Sequence, residues 1–146
     1  MKSLLPQYEE LVHAVQHELG PNRRPLLIAI DGADGVSKSS LASWLAWQLE
    51  MPAIHLDLYL LGDSEHLRWR KDKLAHIISE RIDRGRPIIV EGVLILDALN
   101  EVGRRADFLI FVRGQGGHGL STQISDYNSR QQPEGKAHFR LQGFDV

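Results

Sequence analysis

Apolar residues along this chain fall into two spacings, helical and continuous, and the order in which they alternate predicts the fold. Tyr8, Leu11, Val12, Val15 and Leu19 share one helical face, and Gly20-Pro21 closes that helix. After the basic linker Asn22-Arg23-Arg24 comes Leu26-Leu27-Ile28-Ala29-Ile30, an unbroken apolar run of the kind found in strands buried on both faces. Leu41, Leu45 and Leu49 return to helical spacing, with Pro52 just past the end. Residues 53–56 form a second short run ending at Asp57. Asp63 and Ser64 offer an N-cap, with Glu65 in the first turn, for a long helix carrying Leu67, Leu74, Ile77, Ile78 and Ile82. Arg84-Gly85-Arg86-Pro87 stops it. Ile88-Ile89-Val90 predicts a third buried strand ending at Glu91-Gly92, followed by a short helix through Leu94 to Leu99. Residues 108–112 predict a fourth strand. A glycine-rich stretch over 114–119, a helix over 121–130 and a last short strand near 138–141 complete the order.

Strands that alternate with helices in this way build an open, mostly parallel sheet with helices on both faces. The expectation is a three-layer α/β/α fold of about five strands, in one domain spanning all 146 residues. Ligands of such sheets bind beyond the carboxyl ends of the strands. The polar residues at those ends are Asp31, Asp57, Glu91 and Arg113.

Composition narrows the partners. Hydrophobic residues at 42% and charged residues at 25% describe an ordinary globular chain. A net charge of -2 leaves no overall basic footprint for nucleic acid, so phosphate binding has to come from a local site. The absence of cysteine excludes disulfides, thiol catalysis and cysteine-held zinc, and the histidines are dispersed. The opening Met1-Lys2-Ser3-Leu4-Leu5-Pro6 leads into Glu9 and Glu10, which is not a signal core. No apolar run approaches the ~20 residues that span a bilayer. A soluble cytoplasmic protein with no membrane or nucleic-acid partner is expected.

The local site is Gly32-Ala33-Asp34-Gly35-Val36-Ser37-Lys38-Ser39, between the first buried strand and an amphipathic helix. It fits the phosphate-loop pattern G-x-x-x-x-G-K-[ST] except at Ser37, where glycine is expected. A loop with this pattern turns successive backbone N–H groups onto a phosphate, and the positive end of the following helix adds to the attraction. Lys38 would bring its charge to the β- and γ-phosphates, and Ser39 a hydroxyl to Mg²⁺. Lacking its second glycine, the pattern arises by chance in roughly one chain in ten of this length, so its strand–loop–helix setting carries the assignment. The candidate nucleotide-binding residues are Gly32, Ala33, Asp34, Gly35, Val36, Ser37, Lys38, Ser39 and Ser40.

Ile30-Asp31-Gly32 through Ser40-Leu41-Ala42 resembles the P-loop of the uridine kinase-like branch of nucleoside and small-molecule kinases. Leu56-Asp57-Leu58-Tyr59-Leu60 is similar to that family's strand-end aspartate followed by aromatics, and Pro87-Ile88-Ile89-Val90-Glu91-Gly92-Val93-Leu94 to its Val-Glu-Gly strand. The likeness covers roughly residues 26–113. It implies a P-loop NTPase fold, the use of ATP and Mg²⁺, and phosphoryl transfer to a hydroxyl of a nucleoside-like or other small acceptor. It also implies roles: Asp57 as the base for the acceptor hydroxyl, Ser39 and Glu91 as metal ligands, Lys38 and Arg113 as charge stabilisers. No Asn-Lys-x-Asp guanine signature is present, which argues against a GTPase.

Two departures set up an alternative. The family's arginine-rich lid is replaced by Arg113-Gly114-Gln115-Gly116-Gly117-His118-Gly119, with Arg130 the one other arginine nearby, and Ser37 occupies a glycine position. The alternative is a nucleotide-binding module with lost or very low kinase activity. Arg68, Arg70 and Lys71 around Trp69 read as a solvated helix face with a half-buried tryptophan. Trp44 and Trp47 read as core and subunit-contact residues, which makes a homodimer one expectation.

Overall fold

Three of the unbroken apolar runs become the centre of one parallel sheet. The computed structural model describes residues 5–33, 35–61, 67–114 and 121–143. β1 (Leu27–Gly32), β2 (Ala53–His55), β3 (Ile88–Glu91), β4 (Phe108–Arg113) and β5 (Phe139–Gln142) lie in the order β2-β3-β1-β4-β5, every pair parallel. All residues of β1 and β3 are buried, as strands covered on both faces must be.

Alternation along those strands divides the core in two. Ile28, Ile30, Ile89, Ile110 and Val112 pack with Leu11 and Val15 of α1 (Leu5–Leu19) and Leu41 and Leu45 of α2 (Lys38–Leu49). Leu27, Ala29, Ile88, Val90 and Leu109 face the other way, toward three more helices. Leu74 and Ile78 of α3 (Lys71–Ile82), Ile95 and Leu99 of α4 (Ile95–Glu101), and Tyr127 of α5 (Ser121–Gln131) cover that side. Each such aliphatic side chain contributes about 1.5–3 kcal/mol by leaving water. A four-residue helix, α6 (Pro133–Lys136), leads into β5.

The connections create the ligand crevice. The chain leaves β1 toward the α2 face and leaves β3 toward the α4 face, although the two strands are neighbours. Adjacent strands that diverge in this way open a cleft at their carboxyl ends.

Two expectations about local structure change. The helix predicted from Asp63 and Ser64 begins at Lys71, and the cap residues themselves lie outside the described residues. Leu67 precedes the helix, and Trp69 forms an antiparallel bridge with Leu60. Burial over residues 67–70 alternates along the chain, with Trp69 buried, so an extended segment replaces the expected first helical turns. The second strand ends at His55, and Leu56–Tyr59 form a 3-10 turn, which places Asp57 in the turn. Trp44 stacks at a tilt on Tyr8 of α1, 5.0 Å between ring centroids, whereas Trp47 is exposed. No helix among the described residues is long and apolar enough to cross a membrane.

Candidate functional site

The loop after β1 is fixed from below by contacts that tolerate no extra atoms. Gly32 has φ of 151°, and a Cβ there would sit 2.6 Å from the Val112 carbonyl oxygen of β4. Only glycine lets the chain turn this close to its neighbour strand. Val36 is fully buried and anchors the far side of the loop. Asp34 lies outside the described residues.

Ser37 stands immediately before α2 with φ of 71° and ψ of 26°, in the left-handed region that glycine enters without a steric penalty. Its hydroxyl turns back onto the Val36 carbonyl. The serine thus holds the loop conformation at a local cost of order 1 kcal/mol. Ser37→Gly is therefore expected to tighten MgATP binding several-fold, read from paired titrations at equal Mg²⁺ and ionic strength. Weaker binding by the glycine variant would make the serine a contributor to the site.

Lys38 opens α2 and is buried, with Nζ donating to the Ala33 carbonyl oxygen at 2.6 Å. The ammonium is thereby folded over the loop it serves. One residue on, the Ser39 hydroxyl donates to Glu91 Oε2 at 2.7 Å, joining the start of α2 to the end of β3. His55 Nδ1 lies 3.0 Å from the same carboxylate oxygen. Glu91 is buried, and Ser39 and His55 both reach its Oε2.

A cavity of about 460 Å³ opens in front of this group. Gly35, Ser37, Lys38, Ser39 and Ser40 line it, together with Glu91. Asp57 lines it from its turn, with Leu56, Leu60, Leu67, Trp69 and Val93. Gly92 holds the end of β3 against that turn: a Cβ on it would come within 2.7 Å of the Leu56 side chain. The fold thus brings Lys38, Ser39, Glu91 and Asp57 to one cavity. Arg113 is elsewhere. It lines a neighbouring cavity of about 240 Å³ on the β4 side, and its Nε donates to Glu134 at 2.8 Å. Arg130 is held by Asp97 at 2.8 Å and Asp126 at 3.2 Å.

Sequence reasoning did not find His55, nor the pair beneath the loop. Asp31 is buried, accepting from the Tyr127 hydroxyl at 2.7 Å and from the Gly32 N–H at 2.8 Å. The Tyr127 oxygen also accepts from the Leu96 N–H at 3.0 Å, so one hydroxyl ties α5 to both the phosphate loop and α4. Burial pushes the Asp31 carboxyl up to about 6, against the Tyr127 and Gly32 hydrogen bonds and the Lys38 charge, which pull it down. Burial and the neighbouring Asp31 charge raise the Tyr127 phenol.

Asp31 therefore binds its proton more tightly folded than unfolded, where an aspartate titrates near ~3.9. Between about pH 4 and 6 the folded chain holds the extra proton, so stability falls as pH rises through that window and levels off above it. Tyr127→Phe removes a donor to the carboxylate and should carry the fall to higher pH. It should also cost about 1–3 kcal/mol at pH 7, since a buried acceptor and the Leu96 N–H lose their partner. Urea unfolding of both proteins at pH 4.5, 6 and 7.5 measures this; a parallel pH dependence would leave Tyr127 with a packing role alone.

Oxygen ligands on Ser39 and Glu91, adjacent and facing a cavity lined by phosphate-loop residues, suit a hard cation such as Mg²⁺. Among the described residues no group of three or more histidines and carboxylates could hold a metal unaided, so any such ion would share its ligands with phosphate oxygens.

The order and direction of the strands, with this loop between β1 and α2, define a P-loop kinase fold. Solved structures carry the same fold. A possible uridine kinase from Bacillus stearothermophilus superposes with a TM-score of 0.71 at 16% identity, over 95% of this chain and 99% of that one. A gluconokinase from Sinorhizobium meliloti 1021 gives 0.54 at 18% identity, over 85% and 86%. A shikimate kinase from Bacteroides thetaiotaomicron gives 0.52 at 17% identity, over 81% and 86%. No protein-family model matches the chain, and no curated protein matches its sequence.

Proposed function

We propose that this chain is an ATP- and Mg²⁺-dependent kinase that phosphorylates a hydroxyl of a nucleoside-like or other small metabolite. The observation that carries the reading is the one cavity that Lys38, Ser39, Glu91 and Asp57 line together. Backbone N–H groups of the loop would hold the phosphates, and Lys38 would leave the Ala33 carbonyl to neutralise charge on them. Ser39 and Glu91 would hold Mg²⁺, which when bound offsets phosphate charge. Asp57 would accept the proton of the acceptor hydroxyl as its oxygen bonds the terminal phosphorus and the bridge to the departing ADP breaks. The apolar wall of Leu56, Leu60, Leu67, Trp69 and Val93 favours an acceptor with a flat or apolar face over a polyol. Kinase folds around structures named for uridine, gluconate and shikimate support the class and leave the acceptor open.

A second reading, a nucleotide-binding module with lost or feeble turnover, draws on one observation. Arg113, the expected charge stabiliser, is engaged by Glu134 outside the cavity. ADP release measured against a panel of nucleosides, sugars and vitamins separates the two. Acceptor-dependent turnover supports the kinase; tight MgATP binding with no turnover on any acceptor supports the module.

A further inference from the structure

A second cavity, about 960 Å³ and open, runs along the outer edge of β2 between the C-terminal ends of α2 and α3. Its walls carry Arg23, Arg81 and Arg86, with His55 at one end and Glu50 as its acid. Arg23 donates to the carbonyls of Leu49 at 2.6 Å and Glu50 at 3.2 Å, so it caps α2 and leaves its charge at the groove. Arg81 donates through Nη2 to the Pro87 carbonyl at 3.0 Å. Its Nε is buried with no hydrogen-bond partner among the described residues. Arg86 is exposed and makes no side-chain hydrogen bond or ion pair among the described residues, and Glu50 makes no ion pair there. The acids nearest in sequence are spent elsewhere: Glu80 pairs with Arg84 at 2.9 Å and Asp83 with Arg104 at 3.1 Å.

Like charges gathered in one groove work against folding, since each raises the potential at the others. Burial, then the charges of Arg86 and Arg23, hold the Arg81 guanidinium below its ordinary value, which places the three within electrostatic reach of one another. Arg23 comes from the connection before β1, and Arg81 and Arg86 from the last turn of α3 and the turn that follows it, where the Arg86 N–H donates to the Arg81 carbonyl at 3.0 Å. An unpartnered buried donor and an unneutralised guanidinium cluster are what an anion site presents before its ligand arrives. On the same wall Trp47 is 76% exposed, an indole offered to solvent beside the cations. A second copy of the chain laid across the groove on a two-fold axis would set these arginines against their own counterparts. A small anion meets no such opposition.

We infer that the groove at the edge of β2 is a second ligand site, separate from the phosphate loop, that takes a nucleotide-class anion. Arg81 and Arg86 hold its phosphates, Arg23 adds charge, and Trp47 supports its ring. The site shares none of the loop residues with the cavity of Lys38, but His55 lines the groove and contacts Glu91, so the two sites meet at one imidazole.

The test uses the full chain carrying Lys38→Ala, which weakens binding at the loop, titrated calorimetrically with ATP and separately with pyrophosphate. ATP is expected to bind a site other than the weakened loop and to shift the Trp47 indole N–H resonance, assigned with Trp47→Phe, at concentrations that leave the resonances of residues 35–40 unmoved. Adding Arg86→Gln should weaken that binding at least tenfold, and pyrophosphate should bind more weakly than ATP because it brings no ring. Arg86 is exposed, so the variant should keep the parent's melting temperature, which is measured alongside. Unchanged affinity on Arg86→Gln, a Trp47 resonance that stays still at saturation, or pyrophosphate binding as tightly as ATP would each overturn the inference.

Discussion

Asp57→Asn is expected to reduce acceptor-dependent turnover by about 10²–10⁴-fold, the range a positioned general base contributes. The asparagine keeps the size of the side chain and loses the ability to take a proton. A base for the acceptor hydroxyl does not itself bind the nucleotide, so MgATP affinity should stay within roughly twofold of the parent. The split between lost turnover and retained nucleotide binding is the diagnostic. Steady-state rates on the acceptor found by screening, with calorimetry on the same preparations, measure both. Parent-like turnover in the variant would leave Asp57 without a part in the transfer.

Lys38→Ala is expected to weaken MgATP binding at the loop by at least tenfold, about 1.4 kcal/mol. The ammonium is buried and rests on the Ala33 carbonyl at 2.6 Å, within the curl of the loop where phosphate would lie. Exchange of a neutral carbonyl for phosphate oxygens replaces a hydrogen bond charged at the donor alone with one between opposite charges, which is the stronger kind. Titration of the variant with MgATP, with the change assigned to the loop by the resonances of residues 35–40, gives the number. Parent affinity at those resonances would sink the assignment of the loop.

The centre of the sheet was plain from residue order because a parallel strand buried on both faces has to be apolar throughout. Leu26 to Ile30 and Ile88 to Val90 have no other good explanation at that length. The loop was legible for a related reason: its chemistry is local, carried by eight consecutive residues. The approach of Ser39 to Glu91 was readable only in outline, since both fall at the crevice by topology while their 2.7 Å contact depends on the β1–β3 register. Asp31 and Tyr127 are 96 residues apart, and no periodicity connects them. The start of α3 misled for a different cause. Asp63 and Ser64 look like a cap, yet Leu67 and Trp69 are spaced two apart, the strand interval, and that interval marked the bridge to Leu60. The left-handed backbone of Leu94, φ 59°, at the entry to α4 had no signal in the sequence at all.

That bridge has a consequence for how the molecule can change. The Leu61 N–H donates to the Arg68 carbonyl at 2.9 Å and the Arg70 N–H to the Tyr59 carbonyl at 2.6 Å, so residues 59–61 and 68–70 are clasped to each other through the backbone. Backbone pairing of this kind does not depend on which side chains those positions carry. In the kinase reading, the part of the site that handles phosphate, on β1, α2 and β3, and the part that carries Asp57 are then separate heritable parts. Side chains along the clasped segments can be exchanged with the transfer machinery left as it stands.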